Sequence, residues 1–344
     1  MTDLFSIELP VVQAPMAGSQ GSALAIAVSN AGGLGSLPCA ALSIDQMRKE
    51  LAAITAGTSK PYNVNFFVHS QPHVDEAREA AWRKVLAPYY AELGIDQGAI
   101  QSGPGRMPFG DDAADVLEEF KPPVVSFHFG LPSEAHVARV KRWGAKILSS
   151  ATTVEEARWL EARGVDAVIA QGLEAGGHRG IFLSEDLNTQ LGTMALVRQV
   201  VQAVKIPVIA AGGIADAQGV AAAMALGAAG VQVGTAYLSC PEATTSAVHR
   251  AALKSKDAHL TALTNVFTGR PARGIVNRIM RELGPLNATA PLFPLAASAV
   301  LPLRAKAEAQ GSADFSPLWA GQNVRRGSEE TAAGITRLLA AARR

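Results

Sequence analysis

One glycine-rich segment, residues 171–180, combines residue types that suit a flat ligand held close to the backbone. Glycines such as Gly176 allow that approach, and the Gln171 amide offers a donor and an acceptor to a mixed ring edge. His178 lies in the same segment. An imidazole titrates near neutral pH, so His178 is a candidate for proton transfer or for stabilising an anion. A solvated loop histidine is the alternative interpretation.

Two glycine turns later in the chain are candidates for binding phosphate. Gly212 and Gly213 follow one predicted strand, and residues 232–235, Gln232-Val233-Gly234-Thr235, end the next. Turns without side chains leave backbone N–H groups open to an anion. The alternative interpretation is that these glycines only allow the chain to turn tightly. The chain has neither a Walker A motif nor a G-x-G-x-x-G segment that opens a helix, so a Rossmann dinucleotide site is not expected.

Other candidate residues give weaker signals. His128 ends a predicted strand and can line the same site as His178, although a supporting role explains it equally well. His69 and His73 are separated by Pro72 and have no third ligand in view, so no metal site is expected. Cys39 and Cys240 are too few for a disulfide framework or a zinc cluster, and Cys39 is interpreted as a small core residue.

Eight short apolar runs predict the strands that position these residues. The runs do not alternate polar and apolar residues, which is typical of parallel strands covered on both faces. They cover residues 11–14, 33–37, 62–67, 124–129, 146–149, 167–171, 207–211 and 230–234. Helical patterns lie between them. The sequence therefore predicts an α/β fold, a (β/α)8 TIM barrel, whose active site lies at the carboxyl ends of the strands.

Two stretches are extra to a plain barrel. The long connection between the third and fourth runs contains a predicted helix over residues 74–93. After the eighth run, residues 239–303 predict a smaller, mainly helical cap domain over the barrel mouth. The barrel domain is then expected to comprise residues 1–238 and 304–344. Its last helix is expected over residues 328–342, starting at Gly327 and Ser328.

Composition excludes several other classes of protein. The 344 residues are 48% hydrophobic and 18% charged, which is enough for a large core and unlike a disordered chain. The net charge of +1 provides no basic field for nucleic acid. The charge-free run 217–240 is interrupted by glycines and by Gln232, so it is interpreted as a buried helix and strand rather than a membrane span. The first residues do not resemble a signal peptide, so a cytoplasmic location is expected.

Four segments resemble the motifs of the class I nitronate monooxygenases, formerly called 2-nitropropane dioxygenases. The segments are residues 13–18, 126–132, 171–180 and 210–214, and they occur in the order of the family. Residues 267–274 and 318–322 also resemble family segments. The resemblance therefore covers nearly the whole chain, and its most specific part is the His178 loop together with residues 126–132.

The resemblance implies an FMN-binding barrel in which His178 is the catalytic histidine and His128 lines the substrate pocket. The residues expected to hold FMN are Met16, Asn65, Gln171, Gly176, Gly212, Gly213, Gln232, Val233, Gly234 and Thr235. The implied reaction oxidises an alkyl nitronate, such as propionate 3-nitronate, with O2 to a carbonyl compound and nitrite. The family cycles through a flavin semiquinone without NAD(P)H. Its partners are a small-molecule nitronate and O2, and a homodimer is left open. Many relatives have Tyr-Pro where this chain has Phe293-Pro294.

Three questions stay open at the level of sequence. An NAD(P)H-dependent FMN barrel, such as an enoyl-acyl-carrier-protein reductase or a quinone reductase, shares the Glu-Ala-Gly-Gly-His core at residues 174–178. A non-catalytic barrel that binds a phosphorylated metabolite is an alternative of another class. His178 attracts the nitronate charge if it is protonated, whereas it accepts the α-proton of a nitroalkane if it is neutral.

Overall fold

The computed structural model describes residues 1–100, 106–324 and 330–341. Eleven strands lie in this part of the chain. They are β1 Val11–Gln13, β2 Gly35–Pro38, β3 Tyr62–Phe67, β4 Val124–His128, β5 Lys146–Ala151, β6 Ala167–Gln171, β7 Gly177–His178, β8 Val208–Ala211, β9 Gly230–Val233, β10 Thr261–Thr264 and β11 Ala272–Ile275.

Eight of these strands form one parallel sheet in the order β1-β9-β8-β6-β5-β4-β3-β2. The two end strands meet beside Val12 and Leu34, which form a parallel bridge. Gln13 donates its N–H to the Leu34 carbonyl at 2.9 Å, and Leu34 donates to the Val11 carbonyl at 2.9 Å. The sheet therefore closes on itself, and the predicted (β/α)8 barrel is confirmed. All eight predicted runs coincide with its strands to within two residues at each end.

Helices cover the outside of the barrel and form part of residues 239–303, the segment proposed as the cap. They are α1 Thr2–Phe5, α2 Ser22–Asn30, α3 Ile44–Gly57, α4 Glu76–Leu93, α5 Asp111–Phe120, α6 Glu134–Lys141, α7 Val154–Ala162, α8 Thr193–Ala203, α9 Ala217–Ala225, α10 Ala247–Lys254, α11 Arg278–Glu282, α12 Ala296–Ala309 and α13 Ala332–Ala340. Among the described residues, none of these helices is both long and apolar enough to cross a membrane.

Helix ends follow local capping chemistry. The predicted helix over residues 74–93 begins at Glu76, because the Asp75 carboxylate accepts the Arg78 N–H at 3.0 Å. The last helix is α13, and the Thr331 hydroxyl caps it by accepting the Gly334 N–H at 3.1 Å. Gly327, Ser328 and Ala342, which the prediction placed in this helix, lie outside the described residues.

A second hydrophobic core lies beside the barrel. It joins Trp82, Leu86 and Tyr90 of α4 to Val300 and Leu303 of α12, with further side chains from the segment between them. A cap at residues 239–303 remains a proposal, but this core extends beyond those limits at both ends. Helix α12 continues across the proposed boundary at residue 303 to Ala309. The apolar face of α4 packs in the same core, although α4 lies in the connection between β3 and β4.

The cap also carries a small antiparallel sheet, which was not predicted. Strands β10 and β11 pair with each other, and β11 also pairs with β7, which belongs to the loop after β6. In this register Ala272 lies opposite His178, and Arg273 lies opposite Gly177. The cap is therefore joined by backbone hydrogen bonds to the loop that carries the candidate histidine.

Candidate functional site

One cavity at the carboxyl ends of the barrel strands brings together every residue that the sequence placed in the site. Its empty volume is about 1210 Å³ including the open mouth. The predicted residues that line it are Met16, Asn65, His128, Gln171, Gly176, His178, Gly212, Gly213, Gln232, Val233, Gly234 and Thr235. No Asp or Glu is among the described residues of its lining.

The glycine turns after β8 and β9 form one side of this cavity. Gly212 and Gly213 have φ of +118° and +70°, a conformation that strains other residues. The N–H groups of Gly213, Gly234 and Thr235 have no hydrogen-bond acceptor in the described part of the chain. The side-chain oxygen of Gln232 is buried and likewise unpartnered there. This side of the cavity therefore offers several free backbone donors, which is the arrangement that binds phosphate.

The loop after β6 is held by a buried arginine. Arg179 is 0% exposed, and its guanidinium donates to the carbonyls of Gly172 at 2.6 Å and Gln171 at 2.7 Å, and to Gln190 Oε1 at 3.0 Å. The Gln171 amide also shapes the loop, because its Nε2 donates to the His178 carbonyl at 2.9 Å and its Oε1 accepts the Gly180 N–H at 2.7 Å. One amide hydrogen and one lone pair of Gln171 are left for a ligand.

His178 projects from this loop into an aromatic environment and is buried. Its Nε2 lies 2.9 Å from the Thr268 hydroxyl oxygen. Its ring centroid is 5.2 Å from that of Phe293 and 5.4 Å from that of Trp319. Its Nδ1 has no hydrogen-bond partner among the described residues. The loop and the cap thus leave one ring nitrogen of His178 available to a ligand in the cavity.

The surroundings of His178 disfavour its charged form. Burial, followed by the positive charge of Arg106, holds the pKa of His178 well below its ordinary value, and Arg270 acts in the same direction. Of the two protonation states that the sequence left open, the electrostatics favour the neutral one.

His128 lies in the cavity wall, and both of its ring nitrogens are engaged. Nε2 donates to the His178 carbonyl at 3.1 Å, so Nδ1 accepts the Ser150 O–H at 3.0 Å. Burial lowers the pKa of His128 to about 4, which agrees with this neutral tautomer. Phe129 follows with φ of +74°, a strained value for a bulky residue. The contacts of His128 fit a residue that positions the backbone of His178.

Several residues of the site gave no usable signal in the sequence. Arg106, Phe67 and Ser150 line the cavity, and each follows or lies within a segment to which no function was assigned. Ser126, Trp319 and Gly321 also line it, and their signals were the family-like segments 126–132 and 318–322. Thr268 reaches His178 from the segment 267–274 across 90 positions of sequence.

The remaining candidates have structural surroundings. His69 Nε2 donates to the Arg106 carbonyl at 3.0 Å, whereas His73 Nδ1 lies 2.9 Å from the Val74 carbonyl. In the described ranges no group of three His, Cys, Asp or Glu side chains is placed to hold a metal ion. Cys39 and Cys240 are buried free thiols, and burial raises the pKa of both, that of Cys240 to about 11. Neither thiol is therefore activated as a nucleophile.

Comparisons with known proteins agree on one family. The family model described as nitronate monooxygenase matches residues 1–339. A nitronate monooxygenase of Pseudomonas aeruginosa is 42% identical, over 98% of this chain and 97% of the relative. One from Paraburkholderia phytofirmans is 44% identical, over 93% of this chain and 88% of the relative. The solved structure of nitroalkane oxidase from Streptomyces ansochromogenes is 42% identical, with a TM-score of 0.90 over 99% of this chain and 96% of that one. The chain therefore belongs to the nitronate monooxygenase family of oxidoreductases.

Proposed function

We propose that the protein is an FMN-dependent enzyme that oxidises alkyl nitronates with O2 to a carbonyl compound and nitrite, without NAD(P)H. Propionate 3-nitronate is the representative substrate. One observation carries the proposal. A neutral histidine with a free ring nitrogen, His178, lines the same cavity as a set of unpaired backbone donors at Gly213, Gly234 and Thr235.

The residues of the cavity fit FMN. The unpaired N–H groups of Gly213, Gly234 and Thr235 suit its phosphate, because they need an anionic acceptor and have none within the described chain. Gln171 retains one donor and one acceptor for the ring edge, and the unpartnered oxygen of Gln232 is a further acceptor. Met16 and Asn65 line the same space. The chemistry that FMN supplies when bound is transfer of electrons from the nitronate towards O2.

The electrostatics of the cavity favour an anionic substrate. Arg106 lies in the lining, Arg270 is close enough to lower the pKa of His178, and no acidic side chain is among the described lining residues. A nitronate has already lost its α-proton, so its oxidation needs no base. Its negative charge is attracted by these cations. Neutral His178 adds a second capability, since Nδ1 can accept the α-proton of a neutral nitroalkane.

The cap and the aromatic rings help to exclude water from this reaction. Phe293 and Trp319 contact the His178 ring, and Phe67 lies 6.0 Å from it between ring centroids. A low-dielectric environment strengthens the attraction between the cavity and the substrate anion. The fixed positions of His178 and its neighbours then orient the nitronate against the cofactor.

Anaerobic mixing tests the proposal. Protein loaded with FMN is mixed with propionate 3-nitronate in one sample and with NADH or NADPH in another, and flavin absorbance is followed. Electron transfer from the nitronate, with no response to either pyridine nucleotide, is expected. Bleaching by NADH or NADPH alone supports the reductase alternative instead. A protein that does not bind FMN supports the non-catalytic alternative.

A further inference from the structure

Arg106 is a cation in the cavity wall that has no anionic partner among the described residues. It lines the cavity, and no hydrogen-bond acceptor or carboxylate partner contacts its guanidinium in the described residues. Burial, with the nearby charge of Arg304, lowers its pKa, so the environment does not compensate the charge. A guanidinium removed from water without a partner is unfavourable unless a ligand supplies the anion.

Neighbouring arginines differ from Arg106 in this respect. Arg179 donates to three acceptors, and Arg273 donates to the Leu173 carbonyl at 2.9 Å. Arg270 donates to the Ile181 carbonyl and lies 4.1 Å from the centroid of the Phe129 ring. These three side chains hold loops together. The free guanidinium of Arg106 is instead available to a ligand.

Two side chains fix the backbone of Arg106 at the cavity. Its carbonyl accepts hydrogen bonds from His69 Nε2 at 3.0 Å and from Gln71 Nε2 at 2.9 Å. His69 is 5% exposed, and its Nδ1 is buried with no partner among the described residues. Its ring packs edge-on against Phe293, with the centroids 4.8 Å apart. The one N–H of His69 is therefore used for the hydrogen bond to the Arg106 carbonyl.

Arg106 and His178 both lie beside the Phe67 ring in the cavity. The Arg106 guanidinium lies 5.6 Å from the centroid of the Phe67 ring, and the Phe67 ring is in turn 6.0 Å from that of His178. The reacting carbon must lie close to His178 in the proposed function. A second anionic group on the same substrate is therefore the group that we expect to pair with Arg106.

We propose that Arg106 binds a carboxylate carried by the substrate away from the reacting carbon, and that His69 and Gln71 are positioning residues that hold Arg106 in place. This inference rests on the proposed function. A planar guanidinium forms two parallel hydrogen bonds with a carboxylate, which gives direction as well as attraction. The enzyme is then selective for nitronates that carry a carboxylate over simple alkyl nitronates.

The test compares two ligands that differ by the carboxylate alone, 3-nitropropanoate and 1-nitropropane. Their affinities for the FMN-loaded protein are measured anaerobically by isothermal titration calorimetry. The affinity for 3-nitropropanoate divided by that for 1-nitropropane is expected to fall about 10- to 150-fold in Arg106→Gln, the range for a hydrogen-bonded charge. Arg106→Lys is expected to give an intermediate affinity ratio, because lysine keeps the charge but cannot form the two parallel hydrogen bonds of a guanidinium. Arg48→Gln, at an exposed ion pair with Glu119, is the control and leaves the ratio unchanged.

His69 needs a readout that separates positioning from folding. His69→Phe keeps the ring that packs on Phe293 but removes the hydrogen bond to Arg106. It is expected to raise KM for propionate 3-nitronate several-fold more than it lowers kcat, and to lower the same affinity ratio. An equal fall in kcat for carboxylated and simple nitronates contradicts the positioning role.

Failure of this inference is distinguishable from failure of the proposed function. An unchanged ratio in Arg106→Gln, or no binding of 3-nitropropanoate by the unmodified protein, overturns the role of Arg106. Nitronate oxidation can still proceed in either case. Binding through Arg106 without any nitronate oxidation overturns the proposed function and leaves the role of Arg106 intact.

Discussion

Replacing Gly213 by valine tests the proposed phosphate site, and Gly144 provides a matched control. Gly213 has φ of +70° and Gly144 has φ of +85°, so a valine is strained at both positions. The left-handed conformation costs an L-residue about 1–2 kcal/mol, and we expect both variants to lose about that much free energy of unfolding. A Cβ at Gly144 meets nothing within 4 Å, whereas one at Gly213 lies 3.3 Å from Glu174 Cβ.

Binding of FMN is expected to separate the two variants. The N–H of Gly213 is a free donor at the cavity, and a valine there must shift away from Glu174, which displaces that donor. Loss of one hydrogen bond to a charged group is worth about 1.5–3 kcal/mol, or about 10- to 150-fold in affinity. Gly213→Val is therefore expected to bind FMN at least about tenfold more weakly than Gly144→Val.

Two measurements on flavin-free protein give the comparison. Urea unfolding gives the stability of each variant, and quenching of flavin fluorescence on titration gives the dissociation constant for FMN. Similar stabilities with a difference in FMN affinity are the expected pair of results. If both variants bind FMN equally tightly, the reasoning that places the phosphate at Gly213 is refuted.

Three further changes test the site and the fold around it. His178→Asn is expected to keep FMN but to lower turnover of neutral nitroalkanes about 10²- to 10⁴-fold, the usual contribution of a general base; comparable kcat values for the variant and the unmodified protein would remove His178 from proton transfer. Arg179→Met removes three hydrogen bonds to buried acceptors and is expected to lower the free energy of unfolding by about 3 kcal/mol or more, measured by urea unfolding, whereas a loss below about 1 kcal/mol would contradict its role in the loop. Burial lowers the pKa of His69, His128 and His249 to about 4, so the unfolded chain binds more protons than the native one between about pH 6.5 and pH 4. Stability is therefore expected to fall as pH falls through that window, and urea midpoints that are equal at pH 7 and pH 5 would contradict the buried neutral histidines.

Local sequence patterns were sufficient to locate the barrel and much of the site. Strands buried on both faces give continuous apolar runs, and strand β6 matched its predicted run at both ends. The glycines after β8 and β9 had to lie at the same end of a parallel barrel as the loop that carries His178. Their convergence on one cavity follows from the topology once the eight strands are recognised.

Contacts between distant segments could not be predicted in the same way. The pairing of β7 with β11 depends on two residues of β7, which is too short for a periodicity signal. Helix α5 was not predicted, although the predicted strand β4 follows it at Val124. Arg106 lies on a loop, and its backbone carbonyl accepts hydrogen bonds from His69 and Gln71, contacts between distant segments that local sequence patterns do not reveal.

The electrostatic state of the site also required the structure. An isolated histidine in a glycine-rich loop gives no indication of its protonation. The pKa of His178 depends on its burial beneath the cap and on Arg106 and Arg270, which come from different parts of the chain. The protonation state of His178 is therefore determined by the tertiary structure.

Oxygen uptake by the FMN-loaded protein with propionate 3-nitronate, in the absence of NAD(P)H, tests the central claim most directly. Nitrite is measured in the same reaction. Rapid uptake of oxygen accompanied by release of nitrite is the result that a nitronate-oxidising cavity predicts. No uptake of oxygen until NADH or NADPH is added would contradict it.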